Sequence, residues 1–328
     1  MKQLFVPGLQ EDMKLVNERL SLHLAPVSWD ERVNHILTCV RSTEGKMIRP
    51  QILLLCGHYG SRYQTQQARL CDAAALVEMV HMASLIHDDI VDDSPTRRGM
   101  PTVQAAFGKD MAVYTGDLLL SRVMQVLFSH EMVAEGALFA ETIAHMCTGE
   151  IGQYDCFFDA RTTTERYMKN IYGKTAAIFE LSCRLGCMLS GCDGAAMENL
   201  PMIGKKLGLL FQIRDDLLDF TLSPEVDGKP SHMDFREGIL TLPVLYALEN
   251  EVCRTSVMAL MEKARQGAFD KTDEIHLNKM LHESGGMARA RETARALADE
   301  LHACVDKLPP NKNNTYFRGM IRKLSDIL

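Results

Sequence analysis

The sequence lacks a long apolar run, a paired cysteine motif and an excess of positive charge. No stretch of about 18 apolar residues occurs, and the N-terminal MKQLFVP has neither the apolar segment nor the cleavage site of a signal peptide. These absences predict a cytoplasmic protein with no transmembrane segment. The formal net charge of −7 at pH 7 argues against nucleic acid as a partner. None of the ten cysteines forms a CxxC pair, so a zinc site is not favoured.

Alternating strand patterns and internal repeats are also missing, and the remaining pattern is helical. Apolar residues make up 46% of the chain and recur at spacings of three and four almost throughout. No low-complexity linker divides the 328 residues, which predicts an all-α protein with a single domain over 1–328. The spacing predicts helices near 9–24, 29–41, 47–60, 67–92, 110–130, 134–159, 163–190, 195–221, 239–250, 253–266, 271–284, 286–308 and 312–327.

Two aspartate clusters of the same form, DDIVD at 88–92 and DDLLD at 215–219, lie within these apolar helices. In each cluster the first and last acids are four positions apart, so a helix places both carboxylates on one face. Such like charges destabilise a helix beside an apolar surface unless a cation neutralises them. Mg²⁺ suits carboxylate oxygens and binds through one or two of them plus substrate phosphates. One cluster alone is more often a solvated helix face, but two in apolar sequence predict metal sites that hold a diphosphate between them.

Basic residues occur in compact sets that would complement such a ligand. Lys46 and Arg49 flank two apolar residues before a proline, and Arg97 and Arg98 follow the first acidic cluster. Arginine offers a planar fork for phosphate oxygens, and lysine offers a compact charge. His81 lies seven positions before the first cluster, on nearly the same helix face. Each of these residues alone would be an ordinary surface or core residue, and together they predict a phosphate-binding site.

An ordered set of motifs over nearly the whole chain resembles the trans-prenyltransferase, or polyprenyl diphosphate synthase, family. These motifs are EGKMIRP at 44–50, HMASLIHDDIVDDSPTRRGMPTV at 81–103, YTGDLLLSR at 114–122, GEIGQYD at 149–155, YGKTA at 172–176, FQIRDDLLDF at 211–220, DGKP at 227–230 and REGILTLP at 236–243. The general character of the chain is closest to heptaprenyl diphosphate synthase catalytic subunits. The resemblance implies an isoprenoid synthase fold, a single large helical bundle around a central cavity.

The resemblance also implies a reaction, in which isopentenyl diphosphate condenses head to tail with an allylic prenyl diphosphate in the presence of several Mg²⁺ ions. By matching positions, metal binding falls to Asp88, Asp92, Asp215 and Asp219. Binding of isopentenyl diphosphate falls to Lys46, Arg49, His81 and Arg98. Binding of the allylic diphosphate falls to Arg97, Lys174, Thr175, Gln212 and Lys229. The catalytic set is Asp88, Asp92, Arg97, Lys174, Gln212, Asp215 and Lys229.

The chain departs from the family pattern at three positions. The usual GGKRxRP has Glu44 in place of a glycine and Met47 in place of an arginine, and Ile239 replaces the lysine common in EGKxTLP. The anchoring lysine and arginine of the first motif remain. The departure at Ile239 removes one cation from the leaving-group site that the resemblance implies.

Small residues before the first cluster predict the product length. In this family the growing chain is expected to descend along the helix that carries the cluster. Ala83 and Ser84 stand where short-chain members tend to carry an aromatic ring, and Val80 below them is apolar. A hexaprenyl to octaprenyl product is therefore expected, although small residues at these positions would also serve helix packing.

Several alternatives remain open at this point. A short-chain farnesyl or geranylgeranyl diphosphate synthase would use the same motifs, and a class I terpene cyclase also carries an aspartate-rich metal cluster. The cyclase generally lacks the set Lys46, Arg49 and His81, which disfavours it. A non-catalytic regulatory subunit would normally show degraded acidic motifs, and both are intact. The family implies a homodimer, and a catalytic subunit that needs a small partner is the other possibility.

Overall fold

The computed structural model describes residues 8–26, 30–42, 45–221 and 231–326. Within that part of the chain nearly all regular structure is α-helical, as predicted. The α-helices are α1 Gln10–His23, α2 Glu31–Ser42, α3 Ile48–Gly57, α4 Tyr63–Val91, α5 Val103–Phe107, α6 Lys109–Ser129, α7 Val133–Tyr154, α8 Thr164–Ile171, α9 Ala177–Ser190, α10 Gly194–Thr221, α11 Met233–Glu237, α12 Leu242–Glu249, α13 Glu251–Arg265, α14 Lys271–Glu283, α15 Gly286–Asp306 and α16 Asn313–Ser325.

The long helices agree with the predicted ones, and the differences concern short elements. A π-helical turn, Tyr172–Ala176, separates α8 from α9, where one continuous helix near 163–190 was predicted. A hairpin of β1 Thr96–Arg97 and β2 Met100–Pro101 follows α4. Neither the hairpin nor the one-turn helices α5 and α11 were predicted, because elements this short carry no readable apolar period.

The chain folds into two compact units. The first unit contains the described residues up to Ile143, together with Ile178–Pro201 and Leu308–Asn313. The second contains Ala144–Ala177, the described residues of Met202–Lys307, and those from Asn314 onward. The single polyprenyl synthetase domain remains a prediction.

Helix α4 is the core of the first unit. It packs against α1, α3, α5 and α6, and every residue from Leu70 to Val80 is buried. Its length and apolar composition would allow it to cross a membrane, but 72% of its apolar 18-residue stretch is buried inside the fold. The core helix of a globular protein passes the same test, and the absence of a transmembrane segment therefore stays a prediction. Helix α4 delivers the first acidic cluster at its C-terminal end.

Helix α12 is the corresponding core of the second unit. It packs against α8, α13, α14 and α15, and its buried face includes Leu242, Val244, Leu245 and Leu248. Pro243 lies in its first turn, where a backbone N–H has no acceptor within the helix. The N–H that proline lacks therefore costs the helix no hydrogen bond. The second acidic cluster lies at the C-terminal end of α10, in the part of that helix that belongs to this unit.

Candidate active site

The outer acids of the first cluster lie at the end of α4. Asp88 is half-buried in the last turn, and the exposed Asp92 is the C-terminal cap residue. The C-terminus of a helix already carries partial negative charge, which disfavours added carboxylates. Two acids at such a place favour the binding of a cation.

The inner acid of this cluster is bonded to the chain itself. Asp89 is 5% exposed, and its Oδ1 accepts hydrogen bonds from Nε and Nη2 of Arg97 at 2.8 and 2.7 Å. The Gln104 side chain donates to the carbonyl oxygens of Asp89 and Ser94 at 2.7 and 2.9 Å. Asp89 therefore anchors the hairpin that follows α4.

The hairpin places Arg98 in an unfavourable backbone conformation. Arg97 pairs with Met100, which leaves Arg98 and Gly99 as the two turn residues, with φ of 53° and 80°. Two positive φ angles are typical of a type I′ turn, which favours glycine or asparagine at both positions. An arginine in this region costs about 1–2 kcal/mol. Strain of this kind clusters at functional sites, which supports a role for the Arg98 guanidinium.

The first unit contains a cavity of about 910 Å³ with an ionic and an apolar part. The predicted phosphate ligands Lys46, Arg97 and Arg98 line it together with two acids, Glu78 and Asp89. Its apolar lining includes Met13, Leu20, Met82, Leu85 and Ile86. The cavity thus combines cations for a diphosphate with an apolar surface for a short hydrocarbon.

Two further predicted ligands, Arg49 and His81, lie in the same unit with altered acidity. Burial lowers the pKa of Arg49 to about 10, and its guanidinium stacks over the Phe179 ring at 4.9 Å. Burial, with repulsion from Arg49, Arg98 and Arg97, holds the pKa of His81 well below its ordinary value. His81 is therefore a neutral imidazole at pH 7, and it would bind a phosphate by hydrogen bonding.

The predicted chain-length residues lie on α4 away from the described lining of this cavity. Ala83 and Val80 are 1% and 2% exposed, and the half-buried Ser84 donates a hydrogen bond to the carbonyl oxygen of His81 at 2.9 Å. The apolar α4 residues that line the cavity near the first acidic cluster are Met82, Leu85 and Ile86, which lie on a neighbouring face of the helix. The role of these residues in chain length stays a prediction.

A chain of hydrogen bonds holds the inner acid of the second cluster. Thr175 Oγ1 donates to Gln212 Oε1 at 2.5 Å, and Gln212 Nε2 donates to Asp216 Oδ1 at 2.8 Å. The Tyr167 hydroxyl donates to Asp216 Oδ2 at 2.5 Å. The side chain of Gln212 is thereby fixed, with its amide oxygen toward Thr175.

The outer acids of the second cluster have different surroundings from each other. Asp215 is exposed and forms an ion pair with Arg214 at 3.1 Å. The carboxylate of Asp219 accepts hydrogen bonds from the backbone N–H groups of Met233 and Asp234 at 3.1 and 3.3 Å, which caps the start of α11. A metal at Asp219 would share this carboxylate with, or displace, the cap.

The second unit concentrates negative charge that the chain only partly compensates. Burial raises the pKa of Asp216 to about 6 and also raises the pKa of Asp219. Burial and repulsion from these two acids raise the pKa of Asp234 well above its ordinary value. Lys174 lowers the pKa of both Asp216 and Asp234, and it lies 3.6 Å from Glu150. Because the raised pKa values mean that the ionised carboxylates are disfavoured, binding of a further cation beside them is favoured.

The π-helical turn places Lys174 against α7. A Cβ atom at Gly149 would lie 2.6 Å from the Lys174 backbone nitrogen, and one at Gly173 would lie 2.4 Å from the His145 carbonyl oxygen. Only glycine permits this backbone approach. π-Helical turns of this length occur frequently at functional sites.

The acidic residues fit a divalent cation that arrives with phosphate. Among the described residues, no group of three or more His, Cys, Asp or Glu side chains converges on a metal position. Mg²⁺ needs only one or two carboxylates when substrate phosphates and waters complete its octahedron. Asp88 and Asp92 offer such a pair, and Asp215 and Asp219 offer a second; these outer acids are exposed or half-buried, whereas the inner acids Asp89 and Asp216 are buried and hydrogen-bonded within the chain.

Lys229 and the departure at Glu44 lie outside the described residues. Met47 adopts a left-handed conformation with φ of 50° before α3. Ile239 is half-buried, and its N–H donates to the Asp234 carbonyl oxygen.

Sequence reasoning missed Glu78, Tyr167 and Asp234. Glu78 and Tyr167 are buried, Asp234 is half-buried, and each lies beside a predicted ligand. For Glu78 the sequence did carry a signal, because this acid is flanked on both sides by apolar residues of α4. For Tyr167 the partner lies 49 residues away, and no local pattern reports it.

Comparisons with known proteins agree with the motifs. A family model described as polyprenyl synthetase matches residues 30–276. Heptaprenyl diphosphate synthase component 2 of Geobacillus stearothermophilus is 34% identical over 288 residues, which are 86% of this chain and 84% of that protein.

Two solved structures have a similar fold. Geranylgeranyl pyrophosphate synthase from Lactobacillus brevis is 28% identical, with a TM-score of 0.86 over 98% of this chain and 97% of that one. Polyprenyl synthase from Caulobacter crescentus, complexed with calcium and isoprenyl diphosphate, is 26% identical, with a TM-score of 0.85 over 97% of this chain and 95% of that one.

The different surroundings of the acids predict different effects of substitution. Asp89→Asn should lower the free energy of unfolding by about 1–3 kcal/mol, because it removes the charge partner of Arg97. Asp93→Asn is the matched control, since Asp93 forms only an exposed pair with Lys109 and asparagine suits its φ of 48°. Urea unfolding of both variants measures the difference. Equal stability of the two would contradict the anchoring role of Asp89.

Proposed function

The chain belongs to the polyprenyl synthetase family, whose members are prenyltransferases, and on that premise we propose a specific reaction for it. The enzyme joins isopentenyl diphosphate head to tail to an allylic prenyl diphosphate and releases an all-trans hexaprenyl to octaprenyl diphosphate. The observation that carries this proposal is that each acidic cluster has a buried inner acid hydrogen-bonded within the chain and outer acids that are more exposed. The cationic cavity of the first unit supports it further.

Mg²⁺ is the proposed metal, held by Asp88 and Asp92 in the first cluster and by Asp215 and Asp219 in the second. The similar Caulobacter structure is complexed with calcium, which supports a hard divalent cation. Bound there, Mg²⁺ would supply positive charge to a departing diphosphate.

The basic residues of the first unit are the proposed ligands of isopentenyl diphosphate. Lys46, Arg49 and Arg98 would balance its charge, and the neutral His81 would add a hydrogen bond. The apolar part of the cavity, which includes Met82, supports placement of the short isopentenyl group there.

The allylic diphosphate is proposed to bind Arg97, Lys174, Thr175, Gln212 and Lys229. The bonds from Arg97 to Asp89 use two of its five N–H donors, so the remaining donors can bind a phosphate. The hydrogen bond to Gln212 fixes the Thr175 hydroxyl, which orients both side chains before substrate binds.

The chemistry requires charge stabilisation and exclusion of water. The allylic C–O bond ionises, which leaves an allylic cation and a diphosphate with added negative charge. The double bond of isopentenyl diphosphate attacks the cation, and the departing diphosphate takes the proton that is lost. No protein base is needed. Apolar helices around the acids would keep water from quenching the cation.

The product length rests on Ala83, Ser84 and Val80 and on the relatives. The Geobacillus relative is a heptaprenyl diphosphate synthase component, which supports a medium to long product. A geranylgeranyl pyrophosphate synthase also has a similar fold, so a short-chain synthase is the alternative. The lysine, arginine and histidine of the first unit continue to disfavour a class I terpene cyclase.

The function is tested with the purified chain alone, mixed with isopentenyl diphosphate, farnesyl diphosphate and Mg²⁺. Chromatography of the dephosphorylated products should give a ladder that ends at hexaprenyl to octaprenyl, and a chelator should abolish it. Asp88→Asn and Asp92→Asn should lower kcat by a factor on the order of 100 or more without loss of folding, because they act on the metal and not on the chain. No elongation by the folded chain, even with added component 1 of a relative, would refute the proposal.

The chain-length prediction is tested by Ala83→Phe. A ring at this buried position should shorten the product toward farnesyl or geranylgeranyl, which the same chromatography measures. Because the added volume can cost about 1–3 kcal/mol in a packed core, Ser84→Phe at the half-buried neighbour is the second variant. An unchanged product distribution in both variants would show that the growing chain does not pass this face of α4.

A homodimer is the proposed assembly, and helix α7 supports it. Its exposed residues Val133, Ala137, Ala140, Ala144, Cys147, Ile151 and Tyr154 follow each other at alternating spacings of four and three. This seam of apolar and small residues is typical of a helix that packs against another helix. A partner of another kind remains the alternative, since the Geobacillus relative is named component 2. The cytoplasmic location and the absence of a nucleic-acid partner stay predictions from composition.

The assembly is tested by a charge on the α7 seam. Ala140→Glu should convert a particle with the mass of two chains into one with the mass of a single chain in sedimentation experiments. Ala134→Glu is the matched control, because Ala134 is also exposed on α7 but lies about 100° from the seam. A wild-type chain that sediments as a monomer would refute the homodimer and favour a second component.

A further inference from the structure

A buried carboxylate of the first unit has no part in the reaction as proposed. Glu78 is 5% exposed, lies ten residues before Asp88 on α4, and lines the cavity that holds Lys46 and Arg98. Its Oε2 has no hydrogen-bond partner. A buried polar atom without a partner costs about 1–3 kcal/mol or more, so its presence calls for a compensating interaction.

Two arginines from separate segments compensate this charge. Burial raises the pKa of Glu78, and both Arg49 and Arg98 lower it. In return Glu78 raises the pKa of Arg49, whereas Arg98 lowers it. The two guanidinium groups therefore repel each other, and the carboxylate of Glu78 opposes this repulsion.

The loop that carries Lys46 passes directly over the same carboxylate. A Cβ atom at Gly45 would lie 3.1 Å from Glu78 Oε1 and 3.3 Å from Arg98 Nη1. Three chain segments thus meet at Glu78: the loop before α3, the first turn of α3 with Arg49, and the hairpin turn with Arg98. Each segment supplies one of the cations proposed for isopentenyl diphosphate.

The chemistry of a carboxylate decides between two roles. An ionised carboxylate accepts hydrogen bonds and repels a diphosphate, so Glu78 is unsuited to touch the substrate. It can, however, fix the guanidinium groups that do. We infer that Glu78 is a positioning residue, which holds Arg49 and Arg98 at the separation that binds the diphosphate of isopentenyl diphosphate. This inference rests on the proposed function.

The two possible roles of the Glu78 carboxylate, net charge and positioning of the arginines, predict opposite changes in diphosphate binding. This difference gives a sharp test. Glu78→Gln keeps the shape of the side chain and removes one negative charge. If the carboxylate mattered only through net charge, its loss would leave the cavity more positive and would tighten diphosphate binding. If it positions the arginines, its loss lets them move apart and weakens binding.

The experiment is calorimetric titration of the full-length protein with isopentenyl diphosphate. Glu78→Gln should raise the Kd at least about tenfold and raise the KM for this substrate similarly, while the KM for farnesyl diphosphate stays within about twofold. Combined with Arg98→Gln, Glu78→Gln should add less than it does in the wild-type protein, because part of its effect acts through that arginine. Asp72→Asn is the matched control, since Asp72 is a buried acid on α4 paired with His23 at 3.2 Å. It should lower stability and leave this Kd unchanged.

Each outcome bears on the inference. Equal or tighter binding by Glu78→Gln would overturn it while leaving the proposed function intact. A wild-type protein that folds but does not bind isopentenyl diphosphate would overturn the proposed function and the inference with it. If Glu78→Gln does not fold, Gly45→Ala carries the test, because a methyl group there would push the ends of the Glu78 and Arg98 side chains by a few tenths of an ångström without removing a charge. An unchanged Kd for Gly45→Ala would then overturn the inference.

Discussion

The energetic cost of ionised groups inside apolar helices governs both halves of this protein. Helix α4 is buried from Leu70 to Val80 because it forms the core of the first unit, and its apolar surroundings continue to the acidic cluster. A carboxylate in such surroundings must be paired or bonded. The inner acids Asp89 and Asp216 are buried and receive hydrogen bonds from the chain, whereas the outer acids are exposed or half-buried toward the C-terminal ends of α4 and α10.

The same constraint sets the acidity of the basic residues. Burial makes His81 neutral and lowers the pKa of Arg49, so the first unit holds its cations at a cost that an anion would relieve. In the second unit, burial raises the pKa values of Asp219 and Asp234, so a cation would be favoured there. Within each unit, binding of the proposed ligand and compensation of buried charge are then the same event.

The sequence predicted the long helices and the positions of the acidic clusters, because both depend on periods of three and four residues. The division of labour within each cluster was not predictable, since the partners of Asp216 are Tyr167 and Gln212 and only the second is local. The hairpin turn at Arg98 and Gly99 was hidden because one arginine replaces a residue that normally marks such a turn. The π-helical turn depends on the contact between Gly149 and Gly173, which are far apart in sequence.

The measurement that tests the account most directly is calorimetric titration of Mg²⁺ with and without an allylic thiodiphosphate, which cannot ionise. The account predicts weak Mg²⁺ binding to the free protein, because two carboxylates alone complete no octahedron. It predicts tight binding when the analogue is present, and loss of that binding in Asp88→Asn but not in Asp93→Asn. Tight Mg²⁺ binding without the analogue, or binding that ignores Asp88→Asn, would contradict the assignment of the outer acids to a metal carried by the diphosphate.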